Sequence, residues 1–199
     1  NKHQLSNVQT IYNPINIEEI NSKFNESIEI NFEYIIGVGQ METDVKQLDK
    51  LIISYSNSNL PNQNIHLVLL GDGIKMKDYL LLAKQNNIED KVHFLGFKKN
   101  PYPYLRSAKF FVLSSLNEGM PNVILEAFAC GTPVISFDCL SGPSEMILNK
   151  NNGLLVENQN IEKLTDAMNL FIDDNELYTF CKENALPSCH HFSIDRIGQ

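Results

Sequence analysis

Two glutamates eight residues apart, Glu118 and Glu126, bracket the stretch of this chain best suited to chemistry. Between them runs Gly119-Met120-Pro121-Asn122, and from Val123 to Cys130 every residue except Glu126 is apolar. A helix that is hydrophobic nearly all round is expected to be buried. A carboxylate carried into it from water costs roughly several kcal/mol unless something donates hydrogen bonds to it. Asn122 lies one turn before Glu126 on the same helical face, so an amide and a carboxylate can wall one cavity. Paired hydroxyls of a ligand would satisfy that acid. Glu118 precedes the helix in a loop whose free N–H groups, with the helix dipole, favour an anion by about 0.3–1 kcal/mol at an exposed site. Alone, Glu118 would read as a solvated loop acid or a cap; its pairing with a buried acid gives it weight.

A second candidate is Gly37-Val38-Gly39. The third glycine of a dinucleotide fingerprint would fall at Glu42, where a carboxylate repels pyrophosphate, so that reading fails. Glycines there still let backbone N–H groups approach a ligand closely, with a plain strand-to-helix turn as the alternative. Cys189-His190-His191 has no second ligand pair at a metal-binding spacing, and no metal is expected. Cys130, Cys139, Cys181 and Cys189 include no Cys-x-x-Cys pair and read as buried free thiols in a reducing compartment.

These groups must be held by a scaffold, and the chain alternates short β-type runs with helical stretches, as βαβ units around a parallel sheet do. Tyr34–Gly39 reads as a strand and Val45–Tyr55 as a helix with Leu48, Leu51, Ile52 and Tyr55 on one face. His66–Leu70 and Met76–Asn87 make the next strand and helix. Strand Val92–Gly96, helix Pro101–Ala108 and strand Phe110–Ser114 follow. The helix Pro121–Cys130 has Pro121 in its first turn, Gly131 past its end and Pro133 forbidding continuation. Val134–Phe137 and Leu154–Val156 complete six strands, before helices at Ile161–Phe171 and Asn175–Ala185. The predicted fold class is α/β, a doubly wound parallel sheet, and such sheets bind ligands at the carboxyl ends of their strands.

With 199 residues, 43% of them apolar, the chain is long enough for one domain with a real core. Residues 1–32 differ from the rest: Val8–Tyr12 reads as a strand, Asn13-Pro14 as a turn, and an Asn-rich polar stretch follows. They are expected to form a linker segment packed on the domain of residues 33–199. The net charge of -8, with Arg106 and Arg196 the sole arginines, argues against nucleic acid as a partner. No run approaches the roughly 18 apolar residues of a membrane span. The chain opens Asn1-Lys2-His3-Gln4 without a signal peptide's basic and apolar regions, and is expected to be part of something longer.

Glu118 and Glu126 reproduce an E-x7-E motif, and Glu118–Ala127 with Ala129–Val134 resembles the C-terminal, donor-binding domain of retaining GT-B glycosyltransferases of the group 1 family. Gly71-Asp-Gly73, Val92–Phe97, Asn100–Tyr104, Phe111–Ser115, Ser141-Gly-Pro143 and Gly153–Val156 fall in that family's order, so the resemblance covers roughly residues 8–198. It implies a Rossmann-like half of a GT-B fold, whose N-terminal half binds most of the acceptor. By resemblance Glu126 holds the ribose hydroxyls, and Glu118 with Gly119, Met120, Pro121 and Asn122 faces the donor sugar and diphosphate. Gly39, Gly71, Gly73, Gly96, Phe97 and Lys98 would lie near the base and phosphates, with Ser114 and Ser115 as further contacts. The family places an arginine and a lysine after the first strand, and these positions match Gln40 and Lys46. Gln40 brings hydrogen bonds but no charge, so leaving-group stabilisation would rest on Lys46, the helix N-terminus and backbone donors.

The implied reaction moves a hexose or N-acetylhexosamine from a nucleoside diphosphate sugar, such as a UDP-sugar, to a glycan or lipid-linked acceptor, with retention and front-face attack. The nucleotide sugar is substrate rather than cofactor. This half alone is expected to transfer no sugar, and its expected place is the cytoplasm, peripheral at the inner membrane face, in bacterial cell-surface polysaccharide synthesis. The alternatives are a nucleotide-sugar-binding module without catalysis and a sugar-nucleotide epimerase on the same architecture.

Overall fold

A computed structural model describes residues 12–197, so the strand expected from Val8 lies outside the described residues except for Tyr12, which is not in a strand. Helix α1 (Ile17–Lys23) leads to β1 (Tyr34–Val38), α2 (Leu48–Asn57), β2 (His66–Leu70), α3 (Met76–Gln85), β3 (Val92–Phe94) and α4 (Tyr102–Ser107). Then come β4 (Phe111–Leu113), α5 (Asn122–Ala129), β5 (Val134–Phe137), α6 (Pro143–Met146), β6 (Gly153–Val156), α7 (Ile161–Asp173), α8 (Asn175–Cys189) and α9 (Ile194–Ile197). The six strands are all parallel, in the order β3-β2-β1-β4-β5-β6. Tyr34–Val38 pairs residue for residue with His66–Leu70, and Ile36 pairs with Phe111 on the other side.

The two-residue period of a strand divides the apolar residues between two cores. Ile35, Leu67, Leu69, Phe110, Val112 and Ile135 face α2, α3 and α7, whereas Ile36, Val68, Leu70, Phe111, Leu113 and Val134 face α4 and α5. Helix α8 belongs to both: Cys181 fills the first core, while Ala185 and Cys189 fill the second against α5. It therefore runs past Ala185 and through Pro187, four residues beyond the expected end.

Three helices were not expected: α1, α6 and the single turn α9. Helix α1 occupies the polar stretch after Pro14, where Asn16 caps it by accepting from the Glu19 N–H at 2.9 Å. It buries Ile20 alone, too little to leave a periodic signal. Helix α6 is a single turn set off by Gly142 and Pro143. The expected helix from Val45 is instead a 3₁₀ turn over Asp44–Lys46, then Gln47 at φ 44°, and only then α2.

The loops after β1 and β2 touch backbone to backbone. Gly39 N donates to Leu70 O at 3.0 Å and Met41 N to Asp72 O at 2.8 Å. Gly71 sits at φ +137°, and a Cβ there would lie 1.9 Å from Gly39 O. Gly71→Ala is therefore expected to cost at least about 2 kcal/mol, from backbone strain and overlap together. Gly96→Ala, at φ +71° but with nothing within 4 Å of the added carbon, is expected to cost about 1 kcal/mol. Urea unfolding of the two variants checks the ranking.

Candidate functional site

The winding of the sheet reverses between β1 and β4, and a cleft of about 570 Å³ opens there at the carboxyl ends of the strands. Gly39 and Gln40 wall it after β1, Gly71 and Asp72 after β2, and Phe97, Lys98 and Pro101 after β3. From the chain after β4 come Glu118, Met120, Pro121, Asn122, Val123 and Glu126. Lys46 completes the wall from the 3₁₀ turn.

Lys46 and Glu118, 72 residues apart in sequence, meet directly: Nζ lies 2.7 Å from Oε1. Their side chains keep 26% and 10% of their exposure, so the pair is shielded yet open to the cleft. The backbone fixes both partners. Ser114 Oγ donates to Lys46 O at 2.9 Å, and Leu116 N donates to Val45 O at 2.8 Å. The lysine stem lies across Gly39, where a Cβ would come within 2.8 Å of Lys46 Cγ. Fully buried Ser115 donates its hydroxyl to Glu118 Oε1 at 2.6 Å.

Helix α5 begins at Asn122, with Pro121 just ahead of it and no side-chain cap; Asn122 N and Ile124 N donate to Met120 O and Pro121 O at 2.9 Å, which leaves the Val123 amide between them for an acceptor from the cleft. Pro121 is buried and held from behind: a Cβ on Gly142 would sit 2.4 Å from Pro121 Cδ. Glu126 was expected to be buried, and here the structure corrects the sequence: it is partly exposed, because its face of α5 opens on the cleft instead of a core. It also borders a second cavity of about 240 Å³ shared with Asn122, Asn13 and Tyr102. Burial raises the Glu126 pKa above that of an ordinary glutamate, with no compensating hydrogen bond among the described residues. Burial, with Glu126 and then Glu19 nearby, likewise raises the Tyr102 phenol.

Of the residues singled out in the sequence, Gly39, Gln40, Lys46, Gly71, Phe97, Lys98, Glu118, Met120, Pro121, Asn122 and Glu126 come together around the cleft. Gly73, Gly96, Gly119, Ser114 and Ser115 do not wall it. Gly73 packs on the Met41 backbone, Gly96 O accepts from Gly71 N at 3.0 Å, and Gly119 is exposed beside the Gly142 turn. Both serines serve protein groups instead, as described above. Asp72 is in the wall as part of the Gly71–Gly73 turn that the resemblance places near the phosphates, whereas sequence reasoning gave no place in the wall to Glu42 or Pro101. Their positions in the turns after β1 and β3 were the signal that could have found them. Phe97 is 76% exposed, and Lys98 Nζ lies 5.7 Å from the Tyr104 ring centroid. The four cysteines are free and buried, and among the described residues no group of three His, Cys, Asp or Glu side chains is placed to hold a metal. No helix among them is long and apolar enough to cross a membrane.

The raised Glu126 pKa sets a pH test of stability. Above the 4.5 of an ordinary glutamate the unfolded chain gives up this proton while the folded chain still holds it, so stability falls as pH rises toward the folded value. Glu126→Gln removes that penalty. The variant is expected to melt at or above the parent's temperature at pH 7, with the difference shrinking at pH 4, as parallel thermal melts will show.

The profile of the family described as "Glycosyl transferases group 1" matches residues 18–186. An N-acetylgalactosamine-N,N'-diacetylbacillosaminyl-diphospho-undecaprenol 4-alpha-N-acetylgalactosaminyltransferase of Campylobacter jejuni is 33% identical over 191 residues, 96% of this chain and 51% of the relative. The chain spans about half the length of such curated relatives. HepE of Anabaena, in complex with UDP, superimposes with a TM-score of 0.84 at 22% identity, over 96% of this chain and 55% of that one. A TarM variant of S. aureus, in complex with ligands that include UDP, gives 0.83 at 23% identity, over 98% of this chain and 39% of that one. These likenesses show the fold, an α/β Rossmann-like sheet of the GT-B kind. With the profile spanning most of the sheet and the cleft, the chain belongs to the group 1 glycosyl transferases.

Proposed function

We propose that this chain is the C-terminal, nucleotide-sugar-binding half of a retaining glycosyltransferase. The donor is a UDP-sugar carrying a hexose or N-acetylhexosamine, and the acceptor is a glycan or a lipid-linked sugar. The observation that carries the reading is the meeting of Lys46, Glu118, the uncapped start of α5 and Glu126 in one cleft. Structures of TarM and HepE with UDP support the choice of nucleotide. The relative from Campylobacter jejuni, named for a diphospho-undecaprenol substrate, supports a lipid-linked acceptor. An N-terminal half would close the cleft and bring the acceptor, in line with the span of about half the relatives' length. The protein would then work as a peripheral enzyme on the cytoplasmic side of the membrane.

Electrostatics divides the roles. Glu126, partly desolvated, takes the ribose hydroxyls as donors, which restores the hydrogen bonds that burial removed. The diphosphate sits between Lys46 and the Val123 amide at the start of α5, where charge developing on the leaving oxygen meets a fixed cation and oriented dipoles. Glu118 faces the transferred sugar. The site charges its ligand for entry: Lys46 is already paired with Glu118, and Glu42, Asp72 and Glu126 add carboxylates to a wall with only one further ammonium among the described residues, Lys98. Gln40 supplies an amide where a second cation would have eased that repulsion. This exposed, uncharged Gln40 favours one other reading, a nucleotide-sugar-binding module without transfer.

UDP is expected to bind without added divalent cation, and weakly. Glu126→Gln should lower its affinity about 10- to 100-fold, as for loss of hydrogen bonds to a charged group, and Lys46→Ala should lower it further. Calorimetry in EDTA and in magnesium checks this; binding only with magnesium, or an unchanged Glu126→Gln titration, would overturn the reading. Assaying the complete protein with UDP-sugars and following the anomeric proton separates retaining transfer from epimerisation and from binding alone.

A further inference from the structure

We propose that Ser115 is a positioning residue, one that holds the Glu118 carboxylate in place when Lys46 turns to a ligand's phosphates. The proposal rests on the roles given above to Glu118 and Lys46. Ser115 follows β4 by two residues and is fully buried, outside the wall of the cleft, so its hydroxyl does not reach a ligand there. That hydroxyl goes to Glu118 Oε1 at 2.6 Å, the oxygen that also accepts from Lys46 Nζ at 2.7 Å. One carboxylate oxygen thus has two donors, which differ in what binding does to them. Lys46 faces the cleft and keeps 26% of its exposure, so an incoming diphosphate competes for its ammonium. Ser115 has no exposure and no ligand to turn to.

Glu118 needs such a fixed partner. Its side chain keeps only 10% of its exposure, so water does little to replace a lost donor. If Lys46 were its sole partner, drawing the lysine away would leave a shielded charge without hydrogen bonds and free to change rotamer. With Ser115 donating to Oε1, the carboxylate keeps its orientation and Oε2 stays available to a sugar hydroxyl. Ser114 shows the division of labour between neighbours, since it fixes the Lys46 backbone by donating to its carbonyl. The serine pair at the end of β4 therefore sets both members of the ion pair.

The test compares UDP with UDP-glucose, UDP-galactose and their N-acetyl forms, titrated calorimetrically into the protein and its Ser115→Ala and Ser115→Thr variants, with thermal melts of each. Ser115→Ala is expected to bind UDP a few-fold more weakly, because the diphosphate draws Lys46 from a Glu118 that then has no second donor. The preferred UDP-sugar should lose about tenfold beyond that, the change expected for a misplaced hydrogen bond to a charged group. Ser115→Thr, which keeps the hydroxyl, should restore most of the difference. An equal fall for UDP and UDP-sugar together with a lower melting temperature would mean a merely structural role and would overturn the proposal, as would no change for either ligand. A parent that binds none of the UDP-sugars more tightly than UDP would instead remove the sugar-facing role of Glu118, and the proposal with it; failure of the parent to bind UDP at all would remove the nucleotide reading.

Discussion

A parallel sheet wound in both directions has one place where its crossovers part, and here it lies between β1 and β4. Helices leave the β1 end toward one face and the β4 end toward the other, so nothing in the fold covers the strand ends between them. Every group of the cleft is hung on that gap. The close approach of the β1 and β2 loops fixes one wall, while the chain around Gly142 braces the Pro121 turn that makes the other. The two walls come from distant parts of the sequence, and the Lys46 contact to Glu118 is where they are tied across the gap.

That tie gives the cleft an internal counterion. Such an arrangement lowers the cost of holding a lysine beside apolar surface, since its charge is met by a hydrogen-bonded carboxylate rather than by solvent alone. It also makes the cleft a poor attractor of anions at long range, in a chain whose net charge is -8. On the proposed reading, recognition would depend on short-range geometry: the Val123 amide at the start of α5, a carboxylate for hydroxyls and a lysine that must change partners. Selectivity would follow from the same arrangement, because a phosphate without hydroxyls would leave Glu126 unsatisfied, and a sugar without phosphate would leave Lys46 where it is.

The strands were legible because each is a short apolar run bounded by glycine, proline or polar residues, and all six appear within two residues of their expected positions. The helix carrying Glu126 was legible for the same reason, from Pro121 to Gly131. Helix α1 was not, because one buried isoleucine makes no pattern, and α6 and α9 are single turns. The break at Gln47 was hidden because side-chain periodicity continues through it while the backbone does not. Around the cleft, residues with a marked chemical type were found from sequence, above all Glu118, Asn122 and Glu126. Glu42 was missed because an acid in a polar loop has no distinguishing mark until the loop is placed. Ser115 entered through the family resemblance as a donor contact, and its direction inward toward Glu118 depends on packing that spacing alone does not reveal.

Helix α8 bears on how this domain comes apart. By passing from the α7 side of the sheet to the α5 side, it packs Cys181 into one core and Ala185 with Cys189 into the other. A layered domain without such a crossing could shed one layer while the other survived. Here the two faces share a helix, and loosening either one frees a helix that the opposite face needs. Opening should therefore be a single event, with slow amide exchange in β1 and β5 governed by the same free energy and no partly unfolded form accumulating between native and denatured chains.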